Sequence, residues 1–256
     1  MRNSNVPPMR IPRAYERGSW FYFGRIPSPI DSRDYKLRAF IPEEAPPVEK
    51  THQAWEFPKD EPLDQGRTNH CVGFSVANFG INLPIGRDYS NEDGHRFYYK
   101  CKEIDGEPGN EEGTTLRSGA KVLKRNGNIE GYAFADSIEE IKWWILYKGP
   151  VIAGTIWTSG MLFPNSENII YPTGEEVGGH AYLLTEWTSD NLIGIQNSWG
   201  TDWGIKGKSY IRAQDFESLF IEQGEAVTAV EIEPKKSSCF IIDFIQRIKG
   251  KYGRSL

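Results

Sequence analysis

The sequence predicts an α+β chain in which a helical lobe packs beside a sheet or barrel lobe. Stretches with apolar residues at helical spacing, bounded by capping and stop signals, fall in roughly the first half, up to Gly149-Pro150. Beyond Pro150 the texture changes to short β-branched or aromatic runs separated by Gly, Asp and Asn. With 256 residues, 38% of them hydrophobic, the chain can bury a sizeable core and is not a disordered segment.

Residues 1–63 are rich in Pro and charge and show little periodicity; PSPIDSRDY and IPEEAPPVEK read as extended chain laid over a surface. The first helix candidate carries Val72, Val76 and Phe79 at i, i+4 and i+7, with Gly80 as its stop. A second starts at Ser90, with Asp93 three residues on and Phe97, Tyr98 and Cys101 on its apolar side. The third runs from Thr115 to Asn126, with Leu116, Ala120 and Leu123 in register and Gly127 ending it. The fourth opens on a capping box, Ser137 with Glu140, shows the stripe Ile138, Ile141 and Ile145, and stops at Gly149-Pro150. VIAGTIW, HAYLLTEW, LIGIQNSW, KSYIRA and EAVTAVEI are the strand candidates. In the basic tail, Ile241, Phe244, Ile245 and Ile248 fall at helical spacing. That segment is either a helix packed on its own domain or an amphipathic helix for a docking partner.

Bulk properties remove several function classes. A formal net charge of −5 offers no basic surface for nucleic acid. No run approaches the roughly 18 apolar residues of a membrane-spanning helix. MRNSNVPPMRIPRAYERG is charged but no apolar core follows it, so a secretory signal peptide is not expected. Cys71, Cys101 and Cys239 are far apart and form no CxxC, which argues against both a disulfide framework and a zinc site. No metal or cofactor is expected. The simplest setting is a reducing one, cytoplasmic or virion-associated.

The chemistry concentrates at DQGRTNHCVGFSVANFG, residues 64–80, where Cys71 sits at the start of the first helix. A thiol works as a nucleophile only as thiolate, a form favoured at a helix N-terminus and beside a protonated imidazole. His180, in GGHAYLLTEW, is the best base among the four histidines, because glycines permit close approach and a strand then fixes the ring. Asn197, in QNSWGTDWG at the end of the next strand-like run, can orient the ring's other nitrogen. Each of these residues also has an ordinary reading: a structural cysteine, a buried histidine, a turn asparagine.

The segments DQG-x₄-C-x₂-FS, GGHA and NSWGTDWG resemble the signature blocks of the papain-like cysteine peptidases of the C1 family, in the family's order. GRIPSPIDSRDY is similar to a stretch upstream of the catalytic domain in prokaryotic and phage-encoded members, and EEGTTLRSGAKVLKRNG to the segment after their second helix. The resemblance covers about Gly24 to Ile232. It implies a two-lobe fold, helical on the left and β-barrel-like on the right, with the active-site cleft between. Its domains would be an N-terminal extension over 1–50 comparable to a pro-segment, a catalytic domain over 51–232, and the tail over 233–256. It makes Cys71 the nucleophile, His180 the base and acid, Asn197 the orienting residue, and Gln65 with the Cys71 N–H the oxyanion donors. Trp199 would shield the Asn197–His180 bond from water. Gly113 matches the substrate-binding glycine, and Gly179 would leave room for substrate backbone beside His180.

The sequence also departs from the family. Thr68, Asn69 and His70 stand where Cys-Gly-Ser is usual, and Val72 stands where Trp is usual. Absence of the first of those cysteines removes a disulfide common in secreted relatives. His70 would either add positive potential to the thiol or face solvent from its loop, the latter being the expectation. The leading function is a cysteine endopeptidase working through an acyl-enzyme on protein or peptide substrates. The alternatives are an amidase or transpeptidase acting on cell-wall peptides, and a catalytically silent structural or binding module such as a phage or injection-system component.

Overall fold

Helix starts in this chain fall where side-chain oxygens can take up backbone N–H groups that have no partner in the first turn. A computed structural model describes residues 21–43 and 50–231; the expectations for the 233–256 tail, for Cys239 and for most of the N-terminal extension lie outside the described residues. Helix α2, Asn91–Asp105, begins at Ser90 with a complete capping box to Asp93. Helix α3, Leu116–Arg125, begins at Thr115, whose side chain accepts from the Ser118 N–H. For α4, Ile138–Tyr147, Ser137 accepts from the Glu140 N–H. The Glu140 carboxylate accepts from Asp136 N at 2.9 Å, one residue upstream of the position a capping box uses. Helix α1, Cys71–Ile81, differs: its N-cap is His70, which makes no side-chain cap bond, and every residue in it is buried. A fifth helix, α5 over Ala213–Gln223, buries Phe216 and Leu219.

The strands are β1 (Arg25–Ile26), β2 (Gln53–Ala54), β3 (Thr114–Thr115), β4 (Gly131–Phe134), β5 (Val151–Thr158), β6 (Ile169–Ile170), β7 (Glu176–Trp187), β8 (Leu192–Gln196), β9 (Lys208–Arg212) and β10 (Glu225–Val230). All five strand candidates are present. The short β1 and β3 pair in parallel, Arg25 opposite Thr114. The rest form an eight-stranded sheet of order β4-β10-β5-β7-β8-β9-β6, with β2 added to β7. The expected barrel-like lobe is therefore an open sheet, since β4 and β6 end the path and do not pair. The reason lies in its two faces. Ala181 and Leu183 of β7 join α1, α2 and α3 in one core, whereas Tyr182 and Leu184 join Trp144, Ile145 and Phe216 of α4 and α5 in the other. A sheet covered by helices on both sides needs no closure to hide its apolar surface. Helix α1 packs on β7 and β5, and its first residue, Cys71, faces the β7 backbone at Ala181, where the site forms.

Candidate active site

His180 lies in β7 opposite Thr155 of β5, so pairing with β5 fixes its backbone. Its Nε2 is 2.9 Å from Asn197 Oδ1, and the amide of Asn197 also accepts from the Ser198 N–H at 2.8 Å. Trp199 stacks on the imidazole with ring centroids 4.5 Å apart and 25° between planes. The other ring nitrogen, Nδ1, is buried without a hydrogen-bond partner. Burial pushes the His180 pKa down to about 4, although the Asn197 hydrogen bond pulls the other way.

Cys71 opens α1 and is buried, and the backbone N–H groups of Ala181, Gly24 and Val72 are directed at its sulfur. Burial pushes the thiol up to about 11; those N–H groups and the charge of Arg25 act against the shift without cancelling it. Ala181 directly follows His180 in β7, so the sulfur contacts the same strand that carries the imidazole.

Gln65 is held from across the cleft. Its N–H donates to the Ser198 carbonyl at 2.8 Å, and the Ser198 hydroxyl donates to Gln65 Oε1 at 2.8 Å. The side-chain nitrogen is thereby turned toward Cys71's loop, where it donates to the Thr68 carbonyl at 2.8 Å and the Tyr22 carbonyl at 3.1 Å. Ser198 was not singled out from sequence, although NSW places it between Asn197 and Trp199.

The cleft is occupied by the chain itself. Residues Tyr22 to Ile26 run through it as a strap. The Gly24 carbonyl accepts from Thr114 N at 2.9 Å. Phe23 meets His180 edge-on at 5.7 Å between centroids, and Phe21 lies 4.4 Å from Trp199. Arg25 anchors the strap beyond the cleft: its Nη2 donates to the Gln223 carbonyl and to Glu225 Oε2, each at 2.8 Å. Glu225 in turn accepts from Ser28 N at 3.0 Å. Glycine is required where the strap is tightest. A Cβ on Gly24 would lie 1.8 Å from the Asn69 carbonyl oxygen, a backbone atom that no rotamer change can move.

Gly113, at φ 102, faces this strap: a Cβ there would lie 2.3 Å from the Gly24 oxygen. Its own polar groups are taken, the N–H by the Tyr98 hydroxyl at 3.0 Å and the carbonyl by Lys102 Nζ at 2.8 Å. The backbone donor to the cleft is therefore Thr114, one residue on. Gly179 has the analogous role on the other wall, where a Cβ would come within 2.3 Å of the Arg25 oxygen. His70 does not face solvent. It is 2% exposed and its ring stacks on Tyr98, the correction being that α2 supplies a polar and aromatic pocket for it. Among the described residues, no group of three or more His, Cys, Asp or Glu side chains is arranged to hold a metal ion, and no helix is long and apolar enough to cross a membrane.

No family model matches the chain. It is 30% identical over 79 residues to cathepsin B-like cysteine proteinase 4 of Caenorhabditis elegans, a match covering 30% of this chain and 24% of that protein. Against cathepsin B-like cysteine proteinase 3 of Ostertagia ostertagi it is 29% identical over 99 residues, covering 37% of this chain and 57% of that one. The chain thus spans between about a quarter and just over half of these curated relatives. In structure it is similar to xylellain, a cysteine protease from Xylella fastidiosa, with a TM-score of 0.61, 18% identity, and coverage of 85% of this chain and all of the other. Digestive procathepsin L 3 of Tenebrio molitor gives a TM-score of 0.54 at 17% identity, covering 75% of this chain and 73% of that one. The fold of this chain is thus papain-like, and part of its sequence is similar to cathepsin B-like cysteine proteinases.

Proposed function

We propose that the chain is a cysteine endopeptidase held in a latent form, with Cys71 as nucleophile, His180 as general base and acid, Asn197 as orienter and Gln65 as oxyanion donor. One observation supports this reading above the rest. A peptide carbonyl, that of Tyr22, rests on the side-chain amide of Gln65 while the N–H of Gly24 is directed at the Cys71 sulfur. The site therefore already accepts extended backbone where an acyl-transfer reaction would need it.

In the reaction, Cys71 Sγ attacks the carbonyl carbon of the scissile bond and its proton passes to His180 Nδ1, the nitrogen left without a partner. The oxyanion is held by Gln65 Nε2 and the Cys71 N–H. Such preorganised donors typically contribute a few kcal/mol to catalysis, roughly 2.7–4 for a single donor. His180 then gives the proton to the departing amine nitrogen as the C–N bond breaks, leaving a thioester. Water, losing its proton to the same nitrogen, attacks the thioester carbon and releases the acid, and the thiolate is reprotonated. Asn197 keeps the ring in the tautomer and orientation this cycle needs. With the strap in place both partners are neutral, because burial raises one pKa and lowers the other; hydration after its departure moves both toward the reactive ion pair.

On this reading residues 21–43 belong to an extension that blocks the body starting near residue 51. Cys71→Ala and His180→Ala are expected to abolish cleavage of a denatured protein substrate, with an unchanged circular dichroism spectrum. Cleavage retained by purified Cys71→Ala protein would end the proposal. A silent binding module is the second reading, favoured by the covered, neutral thiol. A thiol-directed epoxide separates the two: stoichiometric labelling of Cys71 once residues 1–43 are cut away supports the peptidase.

A further inference from the structure

Asn197 stands one residue beyond the end of β8, past the ladder that fixes Gln196 between Leu183 and Lys208. Its main chain is gripped in another way. The Asn197 N–H donates to the Gly207 carbonyl at 2.9 Å. The side chain of Gln196 spans the same two peptides: its Nε2 donates to the Asn197 carbonyl at 3.2 Å and to the Gly207 carbonyl at 3.3 Å. Both atoms it meets are acceptors, so the NH2 end of the amide must face them. From α1, Asn78 Nδ2 reaches the same Asn197 carbonyl at 3.5 Å.

Asn78 belongs to a polar stripe that begins at the nucleophile. Cys71, Ser75, Asn78 and Asn82 fall at i, i+4, i+7 and i+11, along one face of α1 and its C-cap. All four are buried, as is Gln196, which shares a sheet face with its partner Leu183 in the core under α1. Among the described residues, the side-chain oxygens of Ser75, Asn78, Asn82 and Gln196 have no hydrogen-bond partner. Polar atoms buried in this way cost stability, and leucine or methionine would fill the same space without that cost. Stability therefore does not account for the amides. What the nitrogens of Gln196 and Asn78 share is one carbonyl, that of the residue bonded to His180.

We propose that Gln196, with Asn78 at the same carbonyl, is a positioning residue for His180: clamping the main chain of Asn197 keeps that residue's Oδ1 on the imidazole Nε2. The inference rests on the reading of Asn197 as the residue that orients His180. An amide oxygen only accepts, so with Oδ1 in place the hydrogen of the neutral ring sits on Nε2, leaving Nδ1 free to take a proton. Moving Oδ1 by about 1 Å would carry it out of hydrogen-bond reach, and the ring hydrogen could then occupy either nitrogen.

Histidine-selective 15N labelling of the full-length protein reads the ring without any turnover. Wild-type His180 is expected to carry its hydrogen at Nε2, to be pyridine-like at Nδ1, and to exchange the Nε2 hydrogen slowly with water. Gln196→Met keeps the size of the side chain and removes the donor; Asn78→Leu does the same on α1. Each should speed that exchange by roughly two- to tenfold, the factor that one lost hydrogen bond commands, and the double variant should approach Asn197→Ala. Melting temperatures of the two single variants should match or exceed that of wild type, whereas a pair that merely braces helix against sheet would lower them. A folded double variant with wild-type tautomer and exchange rate overturns the clamp. So does a rise in ring exchange that backbone amides throughout the sheet share equally, since that reports global opening and not a displaced Asn197. Cleavage is not measured, so loss of the peptidase reading at Cys71 leaves this result standing, and loss of the clamp leaves that reading intact.

Discussion

Gly24→Ala is the sharpest probe of the occupied cleft. The added methyl would lie 1.8 Å from the Asn69 carbonyl oxygen, 2.6 Å from its carbon and 2.9 Å from its Cβ. Ordinary van der Waals contact begins near 3.4 Å, so strap and wall must part by more than an ångström. Neither can do so cheaply. Gly24 bonds Thr114 on its far side, and Asn69 is tied to the Glu111 carbonyl. Forcing a methylene into such a space typically costs about 1–3 kcal/mol, and rigid backbone on both sides puts this case near the top of that range. About 3 kcal/mol corresponds to an open fraction on the order of 100-fold larger. Alkylation by iodoacetamide, read peptide by peptide in a mass spectrometer, reports that fraction at Cys71. Cys101, buried in the helical core, is the internal control. The expected result is up to ~100-fold faster labelling of Cys71 with Cys101 unchanged. Equal Cys71 rates in folded Gly24→Ala and wild-type protein would refute the account of the strap.

Two further outcomes follow from the same geometry. In the intact protein, alkylation of Cys71 should stay slow at neutral pH and climb only toward about 11, because the raised pKa keeps the thiolate scarce below it; strap removal should shift that climb to lower pH. Phe216→Ala deletes a fully buried ring in the core on the α4–α5 face of the sheet, and should lower stability by about 3–5 kcal/mol in urea or thermal melts.

Elements whose signal is local were legible in the sequence. Ser90, Thr115 and Ser137 sit three residues before the N–H groups they accept, and β5 reads as a mostly apolar run because both of its faces are buried. The resemblance likewise proposes one site for Cys71, His180, Asn197 and Gln65, of which Asn197 meets His180 directly and Gln65 meets Ser198, the residue after Asn197. What escaped was what only distant pairing creates. Helix α5 has no side-chain cap and just two buried residues, so its period is faint. Strands β1 and β3 have two residues each and exist only because they meet. His70 looks like a loop residue until α2 and residue 111 close around it. The strap lay inside a segment without periodicity, because a chain bound through backbone atoms needs no apolar stripe to hold it.

That last point bears on how the strap is retained. Within the cleft it is held chiefly by main-chain contacts: Tyr22 to Gln65, Gly24 to Thr114 and Gly24 toward Cys71. Any extended peptide could reproduce these, so by themselves they give the strap no advantage over a substrate. The advantage comes from side chains at its two flanks. Phe21 and Phe23 cover Trp199 and His180, while the guanidinium of Arg25 is 1% exposed and paired with Glu225 at the end of the sheet. Burying a charge is costly unless a partner receives it, and Glu225 with the Gln223 carbonyl provides one only when the strap is seated. Tethering on the same chain adds a high effective concentration that a free peptide must overcome. Occlusion and retention are thus carried by different residues. A change at Gly24 alters fit within the groove, whereas a change at Glu225 removes the seat of the anchor and leaves the groove untouched.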